Sequence, residues 1–189
     1  MKKLVKTIGI FLLFLCVACS ITACSKNDSN PTTTTTAQAK TGKRVYFAGP
    51  MFNYGEKDFN LKITHILEEF GYQVFLPQRD GIEAAALEGK TEQELIEMIF
   101  QLDVQHVLEA DIIFMNIDGR VPDEGACVEL GIGFNAGKRC YGFKTDTRSV
   151  EKGMEINPMI SGCMIKIFEN MYGEKLMEEL RDYLSKNAL

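Results

Sequence analysis

The chain has 189 residues, a formal net charge of −5 and six cysteines. An acidic chain is a poor partner for nucleic-acid polymers, which are held through basic surface. Past residue 42 the cysteines are Cys127, Cys140 and Cys163, with no C-x-x-C pair and no Cys/His cluster at zinc spacing, so no metal site is indicated.

In chain order, Lys2, Lys3 and Lys6 precede an apolar run from Ile8 to about Ala18, and small residues follow. That is the charge, apolar, small order of a secretory signal. The run falls short of the roughly 20 apolar residues of a membrane span. Ile21-Thr22-Ala23-Cys24 resembles the lipobox of bacterial lipoproteins. The expectation is a signal over residues 1–23, with lipid on Cys24 anchoring the domain at the cell membrane, facing outside the cytoplasm. A plain uncleaved anchor or simple secretory signal is the alternative, and Cys19 is a weaker lipid site. Residues 24–42 have no large apolar side chain and read as a polar, Thr-rich tether.

Residues 43–189 have the size of one domain. Residues 44–48 (RVYFA) predict a strand ended by Gly49-Pro50. Residues 57–70 carry Phe59, Ile63, Ile66, Leu67 and Phe70 at helical spacing, and Gly71 stops that helix. Residues 72–76 predict a second strand and 78–90 a loop. Thr91, with Glu94 three residues on, predicts a capping box for a helix to about Glu109. Residues 111–116 (DIIFMN) form a buried strand. A helix within 122–138 is closed by Gly137, and strands over 139–143 and 164–168 precede a last helix over 173–186. Strands alternating with helices imply a doubly wound, five-stranded parallel sheet covered on both faces, with ligands at the carboxyl ends of the strands. No G-x-G-x-x-G or Walker motif follows the first strand, so no nucleotide cofactor has support. The apolar surroundings of the three cysteines predict buried free thiols.

Glu129 stands out because its helical neighbours one turn away are Gly125, Ala126, Ile132 and Gly133. None can pair with its charge, and the small ones leave space beside it. A carboxylate so placed can attack an anomeric carbon with oxocarbenium character; a solvated surface glutamate is the plainer alternative. Asp123 is both a candidate ligand and a favoured helix N-cap. Asp103 lies in an apolar stretch of the long helix, either as a working acid or as a solvent-facing residue. In the loops, Gly49 and Pro50 shape a backbone floor, and Phe52, Gln78 and Arg79 can stack on or hydrogen-bond a planar heterocycle; ordinary turn chemistry is the alternative.

VYFAGPMF, LPQRDG, the Asp103–Asp111 spacing, DEGACVELGIGFNAGK and EINPMI occur in the order seen in the nucleoside 2-deoxyribosyltransferase family, which this chain resembles over nearly all of residues 44–168. The resemblance implies a flavodoxin-like α/β fold and no cofactor. It also implies transfer of 2-deoxyribose between purine or pyrimidine bases through a covalent glutamate. By resemblance, Glu129 is the nucleophile, Tyr46 orients it, and Asp103 is an acid near the leaving base. Asp123 helps hold the sugar, Gln78 contacts the base, and Asn157 is lent to a neighbouring subunit's site, which implies a homo-oligomer. Two readings compete: a related N-glycosidase acting on deoxynucleosides or their 5′-monophosphates, and a non-catalytic nucleoside-binding lipoprotein. The related monophosphate hydrolases carry a small hydroxyl residue where this chain has Asp123, which favours nucleosides. The C-terminal aromatic residue that some transferases place in a partner's site is absent, since this chain ends Lys186-Asn187-Ala188-Leu189.

Overall fold

The computed structural model describes residues 42–149 and 153–189. The signal, Cys24 and the tether up to residue 41 lie outside the described residues. Strands β1 (Arg44–Ala48), β2 (Gln73–Phe75), β3 (Ile112–Asn116), β4 (Arg139–Lys144) and β5 (Lys166–Glu169) form one parallel sheet in the order β2-β1-β3-β4-β5. That is the flavodoxin-like strand order, with its switch point between β1 and β3.

Period-two alternation along each strand sorts the core into two layers. Val45, Phe47, Ile112, Phe114 and Phe143 face one side, where α1 (Tyr54–Glu69) and α7 (Gly173–Lys186) cover them with Ile63, Ile66, Leu67, Leu176, Leu180 and Leu184. Tyr46, Ala48, Ile113 and Met115 face the other side, under α4 (Glu92–Glu109) and α5 (Glu124–Asn135). Tyr46 thus points to the helix pair that carries Asp103 and Glu129.

Several boundaries differ from the sequence expectation for local reasons. Helix α1 starts at Tyr54 because Asn53 and Glu56 form a capping box: Glu56 N–H donates to Asn53 Oδ1 at 3.0 Å and Asn53 N–H to Glu56 Oε2 at 3.1 Å. The expected Thr91–Glu94 box is present on α4. The stretch expected to be a loop folds into two single turns, α2 (Pro77–Asp80) and α3 (Ala84–Leu87). Pro77 opens the first, where its missing N–H costs nothing. Asn157 caps a further turn, α6 (Pro158–Ser161), accepting from Met159 N–H at 2.9 Å. Cys163 and Met164 then close that turn onto Ile160 and Ser161, so β5 begins at Lys166 rather than 164. All three cysteines are free, but only Cys140 is fully buried; Cys127 and Cys163 are half-buried. Leu189 is buried at the amino end of the sheet, its N–H donating to the Tyr72 hydroxyl and its main-chain oxygen accepting from Lys43.

Candidate active site

The hydroxyl of Tyr46 donates to Glu129 Oε1 at 2.7 Å. The Asp103 carboxyl approaches the same hydroxyl from α4. One phenol therefore stands between two carboxyls from adjacent helices. Burial pushes the Glu129 carboxyl up to about 7; the Tyr46 bond opposes that rise, while Asp103 and Asp123 add to it. Burial also raises Asp103, and the Tyr46 bond again opposes it. Tyr46 itself is held far above the ordinary phenol range, first by burial and then by the charge of Glu129, so it stays a donor.

Glu129, Asp103 and Gly125 line a cavity of about 560 Å³ between α4 and α5, whose other walls include Ile99, Phe100, Val128 and Ile132. Asp103 and Ile99 also line a second cavity of about 170 Å³, with Met51, Pro77, Gly81 and Leu102. Asp103 thus stands where the two spaces meet. A carboxyl in such a partition can reach a group on either side.

The small residues around Glu129 divide by role. Gly125 faces the cavity, and a Cβ there would come within 3.2 Å of Asp123 Oδ2. Ala126 is buried beneath the helix. At Gly133 a Cβ would lie 2.4 Å from Ile113 Cγ1, so that glycine lets α5 lie close on β3 rather than making room for a ligand. Asp123 is the N-cap of α5, with Oδ2 accepting Ala126 N–H at 2.8 Å. This capping bond and a ligand contact through Oδ1 are compatible.

At the carboxyl ends of β1 and β3 a chain of side-chain amides, buried at Asn116 and Asn60 and half-buried at Gln78, was not legible in the sequence. Asn116 donates to Asn60 Oδ1 at 2.8 Å; Asn60 donates to Pro50 O at 2.8 Å and to Gln78 Oε1 at 3.2 Å; Gln78 donates to Lys57 O at 2.8 Å. Gln78 keeps one N–H and one lone pair for a ligand. Gly49 belongs to the same corner: a Cβ there would lie 2.7 Å from Asn116 Cβ, so no side chain fits. Phe52, just past the end of β1, is 79% exposed and has no ring partner among the described residues. Arg79 is turned away, bound to Val74 O, Glu68 and Asp80 on a separate cleft. Asn157 is exposed and does not line the Glu129 cavity of its own chain.

A flavodoxin-like sheet with a part-buried Tyr–Glu pair at its switch point and a second carboxyl beside it defines a site suited to glycosyl chemistry. The chain belongs to the nucleoside 2-deoxyribosyltransferase family, whose profile matches residues 45–177. No curated protein matches it significantly. Among solved structures it is similar to the 2-deoxyribosyltransferase of Bacillus psychrosaccharolyticus, at 26% identity and a TM-score of 0.58 over 74% of this chain and 91% of that one. The 2-deoxyribosyltransferase of Leishmania mexicana shares the fold, at 19% identity and a TM-score of 0.52 over 77% and 99%. So does the CMP N-glycosidase of Clostridium botulinum, at 17% identity and a TM-score of 0.51 over 75% and 99%.

Proposed function

We propose that the chain transfers 2-deoxyribose between nucleobases by a ping-pong route through a deoxyribosyl ester of Glu129. The observation that carries this reading is the Tyr46–Glu129 hydrogen bond on the wall of a cavity that also exposes Asp103. In the first half, a Glu129 carboxylate oxygen bonds to C1′ as the C1′–N bond breaks. The base leaves with that electron pair and takes the Asp103 proton. In the second half, a nitrogen of an incoming base bonds to C1′, the ester releases Glu129 as carboxylate, and Asp103 recovers a proton from that base. The nucleophile is held by a phenol donor, and burial raises the Asp103 carboxyl, the direction a proton donor needs. The substrates are deoxynucleosides and free bases, with Asp123 near the 5′-hydroxyl, Gln78, Gly49 and Phe52 toward the base, and Gly125 leaving room for the sugar.

Incubating the full-length protein with deoxyinosine, with and without adenine, tests the reading. New deoxyadenosine is expected. Hypoxanthine alone would replace it with hydrolysis, and no product would favour a binder. A 2-fluoro-2-deoxynucleoside should leave an adduct on the peptide holding Glu129.

Asn157 serves a neighbouring subunit in this reading. Exposed Met154 and Met159 beside it, and Ile96, Ile99 and Phe100 along α4, support packing by a second copy. The lipid anchor is part of the same proposal: labelled palmitate should enter the wild type and not Cys24→Ser.

A further inference from the structure

His106 lies one helical turn beyond Asp103 on α4, so both project from the same helix face. Its ring lies flat on Phe75, with centroids 3.7 Å apart and planes 15° apart. Phe75 is the register partner of Tyr46 across β1 and β2, and those rings are stacked at 5.7 Å and 21°. Three rings therefore form a column from Tyr46 through Phe75 to His106. The helix that closes one end of this column also delivers Asp103 to the Tyr46 hydroxyl.

Besides this stack, α4 packs on α5 and β1, and its last turn is tied by Arg44 to Glu109 and by Lys138 to the Leu108 carbonyl. Val107 is its only fully buried residue, and one flank borders the open cavity. A rotation of about 15° would move a carboxyl roughly 6 Å from the axis by roughly 1.5 Å. Misplacement on that scale disrupts a hydrogen bond and costs rate steeply. His106 itself lines neither cavity that Asp103 borders. It opens on a separate cleft of about 610 Å³, alongside Arg44, Arg79, Asp80 and Glu109.

We propose that His106 is a positioning residue for the proton donor: its imidazole, stacked on Phe75, fixes the rotation of α4 and so holds Asp103 against the Tyr46 hydroxyl. The inference rests on the reading of Asp103 as the acid that protonates the leaving base. His106 also acts on Asp103 through charge, because an imidazolium there draws the carboxyl down. Stacking and charge are separable by substitution: His106→Phe keeps a flat ring without charge, and His106→Ala removes both.

The test compares wild type, His106→Ala, His106→Phe and Asp103→Asn as full-length proteins. The substrates are deoxyinosine and N7-methyldeoxyguanosine, whose base leaves without protonation. His106→Ala should lose about tenfold in kcat on deoxyinosine with little change in KM, and should keep its rate on the methylated substrate; His106→Phe should stay within about threefold of wild type on both. The proposal is overturned if Ala matches wild type, if Ala and Phe lose alike, or if Ala loses equally on both substrates. Asp103→Asn without a loss on deoxyinosine would instead remove the acid reading beneath it. A readout independent of turnover is the ¹³C signal of the Asp103 carboxyl, assigned through Asp103→Asn. His106→Ala should displace it and His106→Phe should return it toward wild type. Equal signals in the two variants overturn the positioning role even in a protein that turns nothing over.

Discussion

Tyr46 and Glu129 are 83 residues apart in sequence, yet the phenol hydroxyl lies 2.7 Å from the carboxylate oxygen. The bond exists because period-two alternation turns Tyr46 to the α4/α5 face and because Gly133 lets α5 settle close on β3. Tyr46→Phe removes the donor and keeps the ring stacked on Phe75. A hydrogen bond to a charged group contributes about 1.5–3 kcal/mol, which corresponds to roughly 10–100-fold in rate if it is made in the transition state. The bond also holds Glu129 down against burial, so its loss lets the carboxyl keep its proton to higher pH. The acid limb of kcat/KM should therefore shift upward in Tyr46→Phe, and the rate at pH 7 should fall. A limb at the wild-type position would mean that Tyr46 does not act on Glu129.

Glu129→Gln should abolish base exchange and stabilise the protein as pH rises. The glutamate holds its proton to about 7 in the folded protein, against an ordinary value of 4.5. Folding thus favours the protonated form. The stability tied to it is complete below pH 4.5 and is lost as pH rises through 7. Glutamine stays neutral and can still accept from Tyr46. Urea midpoints of the two proteins should be close at pH 4 and diverge by pH 8 in favour of the variant, with an upper limit of about 3 kcal/mol. A constant difference across that range would contradict burial of a titrating carboxyl here.

Much of this was legible in the sequence because it is local. The β-branched and aromatic run RVYFA, the apolar run in DIIFMN, the Thr91–Glu94 box and the glycine stop at Gly137 each act within a few residues, and each recurs in the structure. The Asn53–Glu56 box was equally local, but Phe52 and Tyr54 beside it broke the apolar spacing that marks a helix start. The amide chain from Asn116 through Asn60 to Gln78 had no such signature, since it joins residues 56 and 18 apart. Asn60 stands at a core-facing position among apolar residues of α1, the one clue available beforehand. Arg79 shows the opposite failure: its residue type suited a ligand, but nearby Glu68, Asp80 and Val74 O claim it.

Asp103→Asn should be selective. A general acid contributes about 10²–10⁴-fold when the leaving group needs its proton. Loss in that range is expected on deoxyinosine, and little on N7-methyldeoxyguanosine. Equal losses on both would point to a structural role for the carboxyl instead.

Asn157→Ala and Glu129→Ala, each inactive alone, should regain activity when mixed and allowed to exchange subunits. The asparagine side chain caps only the single turn α6, so alanine should cost about 1 kcal/mol and leave the domain folded. Recovery scales with mixed interfaces if one chain lends Asn157 to another's Glu129. A fully active monomer by light scattering would refute shared sites.

Asp123→Ser should move preference from deoxynucleosides toward their 5′-monophosphates. Asp123 Oδ2, which lies beside Gly125, is committed to Ala126 N–H, and Oδ1 accepts no hydrogen bond from the described residues. A carboxylate there accepts from a 5′-hydroxyl and opposes a phosphate. Serine removes the charge, supplies a donor, and still caps the helix, so the fold should survive. It also removes one of the two carboxylates at the positive end of α5, leaving only Glu124 in the first turn, which favours an incoming anion relative to wild type. Two unit charges 4 Å apart at an effective dielectric of 20 repel by about 4 kcal/mol. A tenfold change in a ratio of kcat/KM values needs only about 1.4 kcal/mol, so the shift should be measurable even when most of that repulsion is screened. The measurement is the deoxyadenosine to deoxyadenosine 5′-monophosphate ratio in both proteins. An unmoved ratio would show that Asp123 does not read the 5′ position, and its second oxygen would then need another partner.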